Sequence, residues 1–517
     1  MNGADILTDT LLASGIDVCF ANPGTSEMHF VAALDRKPEM RCVLGLSETV
    51  VTGAADGYAR MADKPAATLL HTGPGLANGL ANLHNARRAR TPMVNIVGDH
   101  ATHHLAFDAP LTSDIEGLAR PMSDWVGRIA NAGDVAHRTR EAITAARAIP
   151  GIATLVLPAD AAWTPVAGGT VQAAAVSPPR ALDPAAIAAA AAALRSGRRV
   201  GLMMSGHALR ADALAVAGRI AAATGASLLC QMSNSRVARG RGRVDVGRVP
   251  YVVDQALAFL ADLETVVLIG AKPPVAFFAY PGKPSSLLPP SCEVVTAAVA
   301  GQDLLQALTA LADAVGATPS GAGATAAVPQ LPPAPTLGPL TAAAVMAAVV
   351  RAIPDNAIVV DESVSSGRNF FALTAAAAPH DYLQLTGGAI GLGIAMATGA
   401  AIAGPGRKVI DLQADGSALY AAQGLWTQAR EACDVVTIIL SNRSYAILEG
   451  EMRAVGVRQF GRNARRMLTL DEPAIDWVSL AKGFGVEGLR ATTVEDFTHH
   501  LATALAAPGP WLIEAVI

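Results

Sequence analysis

Two stretches in the last third of the chain combine a carboxylate, an amide and small residues in a way that suits a bound cation. Asp415 follows the apolar run KVIDLQA and leads into Gly416 and Ser417. Asn442 closes a second apolar run, VVTIILS, 27 residues further on, and is followed by Arg443, Ser444 and Tyr445. In open α/β sheets ligands collect beyond the carboxyl ends of strands, which is where both residues stand. One carboxylate and one amide oxygen, with a main-chain carbonyl nearby, form a hard-oxygen set suited to Mg²⁺ bridging a diphosphate. Gly416 and Ser417 offer N–H and hydroxyl groups to phosphate oxygens at a helix start.

The first third holds proton-handling candidates. His71 ends the run AATLL directly before Thr72-Gly73-Pro74-Gly75. Such a histidine suits general acid–base work, although a satisfied core histidine is the commoner reading. Glu48, in LGLSETVV, reads by itself as a helix-start glutamate facing solvent. His103 and His104 follow the run PMVNIVGD, and a solvated loop pair is the safer reading of them.

A chain of 517 residues corresponds to about three domains. Two stretches rich in Pro, Gly and Ala, roughly 164–184 and 317–339, lack a hydrophobic period and read as linkers. They leave blocks at 1–165, 183–317 and 340–517. Each block alternates continuous apolar runs with helical patterns: AATLLHT, PMVNIVGD and GIATLVLP, then RRVGLMMSG, ASLLCQM and ETVVLIGA, then AIVVDES, KVIDLQAD and VVTIILSN. The fold class expected is α/β, three domains each with a parallel sheet flanked by helices.

The balance of 39 basic and 43 acidic residues gives no general attraction to nucleic acid or to an anionic membrane. Only 16% of residues are charged, which predicts that subunit contacts cover part of the surface. Five cysteines without a C-x-x-C pair argue against a disulfide framework and a structural zinc site. Asp5 and Asp9 stand where a signal peptide would carry positive charge, so a cytoplasmic location is expected. The uncharged segment Gly387–Pro405 is rich in glycine and reads as a turn entering a buried helix rather than a membrane span.

At this point the chain resembles the thiamine diphosphate (ThDP) enzyme family, whose signature is Gly-Asp-Gly followed after nearly thirty residues by Asn. Further stretches resemble its benzoylformate decarboxylase and acetolactate synthase large subunit-like branch, in order: Phe20-Ala-Asn-Pro-Gly-Thr-Ser-Glu27, Leu44-Gly-Leu-Ser-Glu48, Gly53-Ala-Ala-Asp-Gly-Tyr-Ala-Arg60, His71-Thr-Gly-Pro-Gly-Leu-Ala-Asn78, Asp361-Glu-Ser-Val-Ser365 and Gly387-Gly-Ala-Ile-Gly391. The resemblance is strong in the first and third blocks and weak in the middle one. It implies a pyrimidine-binding (PYR) domain, a middle domain and a diphosphate-binding (PP) domain. Glu48 would activate the cofactor's pyrimidine ring from the neighbouring subunit. Asp415, Asn442 and the carbonyl of Ser444 would hold Mg²⁺. Ile390 would prop the bent cofactor, and Gly388, Ser365, Gly416, Ser417 and Tyr445 would contact it. His71 would relay protons, and Thr25 would meet the substrate carboxylate.

The activity implied is decarboxylation of a 2-oxo acid to an enamine, followed by protonation or carboligation, in a homodimer or homotetramer with sites at the subunit interface. The alternatives are acetolactate synthase-like acyl transfer or a non-catalytic ThDP-binding homologue. A nicotinamide enzyme ranks low, because no strand is followed by G-x-G-x-x-G with an acid roughly 20 residues on. The chain departs from the family in several places. The signature's first glycine is Ala414, a methyl that the turn must tolerate or answer with a shifted loop. Ile447-Leu-Glu-Gly-Glu451 stands where synthases carry Gln-Trp-Gln, and Ala276-Phe-Phe-Ala-Tyr-Pro-Gly282 lacks the decarboxylases' second histidine. The bulk of Ile447 predicts a small or aliphatic substrate, unless Phe277 and Phe278 build a different pocket. Glu451 would repel an anionic substrate unless protonated or paired.

Overall fold

Short runs of Val, Ile and Leu can pair in parallel only if each crossover is long enough to hold a helix, and this sets the architecture. The computed structural model describes residues 1–167, 171–317 and 329–517. Every apolar run quoted above forms a strand. Both expected linkers fall partly outside the described residues, at 168–170 and 318–328; residues 171–183 and 329–339 carry only isolated bridges.

The first sheet runs Arg41–Leu44, Val18–Asn22, Ala66–Leu70, Met93–Asp99, Ile152–Pro158 and Trp125–Arg128, all parallel. The second, also parallel, runs Gly247–Arg248, Ser227–Cys230, Val200–Met204, Thr265–Ile269 and Glu293–Ala298. The third runs Glu487–Ala491, Trp511–Val516, Val435–Ser441, Val409–Ala414, Ala357–Glu362, His380–Gln384 and Arg236–Arg239. Its last strand amends the all-parallel expectation. Arg236–Arg239 comes from the middle block and pairs antiparallel at the sheet's edge. Charge and stacking hold it there: Arg236 Nε lies 2.8 Å from Asp381 Oδ1, and the Arg239 guanidinium lies 3.9 Å from the Phe371 ring centre.

The first and third sheets share an apolar core through two helices, Glu48–Ala62 and Gly393–Ala403. Small residues bring their backbones together: a Cβ added at Gly57 would fall 2.0 Å from the Met396 carbonyl oxygen. At the end of the first helix Arg60 is buried in an ion pair with Asp56 (2.6 Å) and donates to the Gln384 carbonyl (2.7 Å). Helix Gly393–Ala403 is the buried helix expected after the glycine turn. No helix among the described residues is long and apolar enough to cross a membrane.

Candidate active site

The strand order of each sheet says where a crevice opens. In the first sheet Val18–Asn22 and Ala66–Leu70 are neighbours whose onward connections leave in opposite directions; in the third, Ala357–Glu362 and Val409–Ala414 do the same. Loops beyond such strand pairs diverge and leave room for a ligand. These loops carry Thr25 and His71 in the first sheet, and Ser365 with Asp415, Gly416 and Ser417 in the third. In the middle sheet the equivalent gap is filled: the Leu304 side chain packs on Gly270, where an added Cβ would fall 2.6 Å from its Cδ1.

His71 does not stand alone. Its Nδ1 lies 2.9 Å from Glu27 Oε2, and Glu27 is 1% exposed. The Gly24 N–H donates to the same carboxylate (2.7 Å), and the Ser26 hydroxyl donates to its other oxygen. A buried carboxylate against Nδ1 keeps a proton on that nitrogen and leaves Nε2 for an incoming group. His71 and Thr25 line one cavity of about 340 Å³, together with His29, His100, His104 and Trp163. His103 and His104 are exposed, as expected, but they stand on a short 3-10 helix, Thr102–Phe107, rather than in a loop, and both line this cavity.

Glu48 opens its helix, with Ser47 as the capping residue. It does not face solvent: it is 8% exposed, and Asn78 Nδ2 donates to its Oε2 (3.1 Å). The positive end of the helix dipole favours its carboxylate.

In the third sheet Asp415 Oδ1 accepts from the Gly416 N–H (2.9 Å) and Oδ2 from the Arg443 N–H (2.6 Å). Asn442 Oδ1 accepts from the Ser444 N–H (3.0 Å), so Asp415, Asn442 and Ser444 stand together. Burial pushes the Asp415 carboxyl above its ordinary range, and no ion pair among the described residues includes it. A carboxylate offers about four lone-pair positions, so two N–H donors leave room for a cation. The donor set therefore fits a hard divalent ion held by one carboxylate, one amide and main chain. Among the described residues there is no cluster of three or more His, Cys, Asp or Glu side chains that would serve a metal instead.

Ala414 sits at φ −79° and ψ 144°, an ordinary extended conformation, so the turn accepts its methyl without strain. Gly416 is different. The Tyr445 ring lies so close that a Cβ there would fall 2.4 Å from Cε1. Three non-glycine residues of these loops hold the left-handed region: Thr72 (φ 51°), Val364 (φ 47°) and Arg443 (φ 54°). For β-branched Thr and Val this is strain that the surrounding structure must impose, and such strain gathers at functional sites.

The loop 387–393, which carries Gly388 and Ile390, is gripped from two sides. Above it, the helix that starts after His71 supplies Asn82, donating to the Gly391 carbonyl (3.2 Å), and Asn85, donating to the Ala389 carbonyl (2.7 Å). Below it, Glu362 accepts from the N–H groups of Gly391 (2.7 Å), Leu392 (3.3 Å) and Gly393 (2.6 Å). Burial pushes Glu362 up to about 7, the three N–H donors opposing that rise. Ser417, on the neighbouring turn, donates to the Ala414 carbonyl (3.0 Å).

The candidates thus form two groups, Thr25, His71 and Glu48 in the first third, and Ser365, Gly388, Ile390 and the Asp415–Tyr445 set in the last. Among the described residues no hydrogen bond joins Glu48 or His71 to Asp415 or Asn442. Sequence reasoning assigned no role to Glu27, Glu362, Asn82 or Asn85. Glu27 and Glu362 lie inside quoted motifs, and Asn82 and Asn85 are polar residues three apart on one helix face, which was the available signal.

Two family models match the chain: the thiamine pyrophosphate enzyme N-terminal TPP binding domain over residues 1–118, and the C-terminal TPP binding domain over residues 366–515. The chain is 49% identical to a Mycobacterium tuberculosis protein provisionally named acetolactate synthase large subunit IlvX, across 100% of this chain and 99% of that one. It is 30% identical to the benzoylformate decarboxylase of Pseudomonas aeruginosa, across 98% and 97%. Among solved structures it resembles the thiamine diphosphate-dependent 4-hydroxybenzoylformate decarboxylase of Rhodococcus jostii RHA1, with a TM-score of 0.85, 27% identity and coverage of 100% and 99%. The two sheets whose crevices hold the candidate residues are the two that these models cover in large part, and the chain belongs to the thiamine diphosphate-dependent enzymes of the benzoylformate decarboxylase and acetolactate synthase type.

Proposed function

We propose that this protein is a ThDP- and Mg²⁺-dependent 2-oxo acid decarboxylase. The observation that carries the proposal is the His71–Glu27 pair opening on the cavity that Thr25 also lines. When bound, ThDP supplies the nucleophilic carbon and the electron sink for loss of CO₂. Asp415, Asn442 and the Ser444 carbonyl would hold the Mg²⁺. Gly416, Ser417 and Ser365 would hold the cofactor's phosphate end, Tyr445 packs on the Gly416 turn, and Gly388 and Ile390 would support the cofactor. Glu48 would exchange a proton with its pyrimidine ring. Thr25 orients the substrate carboxylate, and His71 delivers the proton that completes the aldehyde, with Glu27 holding its tautomer. Acetolactate synthase-like carboligation is the second reading, supported by the name of the 49% identical relative.

The domains are proposed as 1–165, 183–317 and 340–517, with a homodimer or homotetramer completing each site. Exposed Met28, Leu46, Tyr420 and Leu448 beside the candidate residues support this. CO₂ release from a panel of 2-oxo acids should require both ThDP and Mg²⁺ and should vanish with a chelator. Release that is indifferent to either would remove the proposal.

The two glycine-turn positions separate cleanly. Gly416→Ala is expected to weaken ThDP binding by about tenfold or more, because the Tyr445 ring must move. Ala414→Gly, where no strain is relieved, should change it less than about twofold while lowering stability by about 0.4–1 kcal/mol through the unfolded chain. Titration of intrinsic fluorescence with ThDP reads the first effect and thermal denaturation the second.

A further inference from the structure

An aromatic and acidic cluster stands beside this site. Phe277, from the middle block, lies on the glycine turn: a Cβ at Gly388 would fall 2.5 Å from its Cζ. The Phe277 ring centre is 5.4 Å from Tyr251 and 4.9 Å from Phe278. The Tyr251 hydroxyl is 3.5 Å from Glu451 Oε1, and Tyr280 stands near enough that, after burial, Glu451 raises its phenol above the ordinary range. Glu451 belongs to the helix Ala446–Ala454, which starts next to Tyr445 and buries none of its residues. The cluster therefore joins the two loops on which Gly388 and Tyr445 stand.

Its chemistry is selective. Glu449 on the same helix is neutralised by Arg453 (3.0 Å), whereas no ion pair among the described residues includes Glu451. Arg368 lies over the Tyr251 ring, 5.6 Å from its centre. Burial first, then the neighbouring Tyr280 phenol and the Glu451 charge, hold the Tyr251 phenol above its ordinary range, so it stays a donor. Even with both phenols as donors, at most half of the roughly four acceptor positions of a carboxylate would be filled. What remains is a negatively charged acceptor set among aromatic faces. It repels a second carboxylate and welcomes a hydroxyl or ammonium group.

Resting on the proposed 2-oxo acid chemistry, we propose that Tyr251, Tyr280 and Glu451, backed by Phe277, form the subsite for the substrate's tail and select a 2-oxo acid whose tail carries a hydrogen-bond donor. The feature that looked unfavourable in the sequence, a glutamate facing an anionic substrate, acts at the end opposite the 2-oxo carboxylate.

Two matched sets of acids test this on the holoenzyme: 2-oxopentanoate, 4-hydroxy-2-oxopentanoate and 2-oxoglutarate, and benzoylformate with its 4-hydroxy and 4-amino forms. In one set or both, the donor-bearing acid should exceed its apolar counterpart by about tenfold in kcat/KM, as one hydrogen bond to a charged group allows. The 4-amino form, neutral at working pH, separates donation from positive charge. Glu451→Leu should abolish or invert the ratio, Glu451→Gln should raise the value for 2-oxoglutarate, and Tyr251→Phe should shift the ratio part of the way. An unchanged ratio in Glu451→Leu overturns the proposal, as does turnover without preference for a donor. ThDP titration of the same preparations keeps the two claims apart. Failure to bind ThDP overturns both, whereas binding without turnover of any of these acids overturns the tail assignment alone.

Discussion

Glu48→Gln is expected to lower kcat for any accepted 2-oxo acid by roughly 10²–10⁴-fold, the usual worth of a positioned acid–base group. Glutamine keeps the shape and an oxygen for Asn78 Nδ2, which donates to Glu48 at 3.1 Å in the wild-type protein. The helix start and its Ser47 cap are untouched. Stability and ThDP affinity should therefore stay near wild type, within about threefold for the latter. The result separates chemistry from binding. Steady-state CO₂ release and ThDP titration on the same preparation check it, and turnover equal to wild type would remove Glu48 from the chemistry.

Glu362→Gln should do the opposite and damage cofactor binding first. Glu362 accepts three main-chain N–H groups beneath Ile390, and an amide turns an NH₂ group against at least one of them. Leaving a buried donor unmatched costs about 1–3 kcal/mol, so ThDP affinity should fall by about tenfold or more as the turn loosens. A pH signature accompanies this. The folded protein raises Glu362 from 4.5 to about 7, so between these values it holds a proton that the unfolded chain releases. Unfolding free energy then falls as pH rises through that window and levels off above it. Asp411, raised to about 8 chiefly by burial and in part by the Glu362 charge, acts in the same direction, and the substitution removes that part of its rise as well. Thermal midpoints taken from about pH 5 to about pH 8 should fall for the wild-type protein and fall less steeply for Glu362→Gln. Parallel slopes would show that Glu362 does not titrate as described.

The strands were legible because both-face burial leaves continuous apolar runs, as in VVTIILS and MVNIVGD. Arg236–Arg239 was not, because a four-residue edge strand bounded by two arginines carries no such run; its pairing rests on Asp381 and Phe371, more than a hundred residues away. The site was legible where motif and strand end coincide, as at Asp415, Asn442 and His71. It was not legible where a polar side chain acts on distant groups. Glu27 owes its role to a histidine 44 positions on, and Glu362 to amides near 391, partners that only the fold brings together. Ala414 shows the converse limit. A departure from the glycine pattern looked costly in sequence, yet an ordinary φ of −79° makes it innocuous.

The proposed function requires this chain to activate its cofactor and not merely to bind it. Hydrogen–deuterium exchange at the thiazolium C2 of protein-bound ThDP measures that step without any knowledge of the substrate. Exchange far faster than in free ThDP is expected for the wild-type protein, and slowed exchange in Glu48→Gln. Exchange at the rate of the free cofactor, with ThDP demonstrably bound, would contradict it.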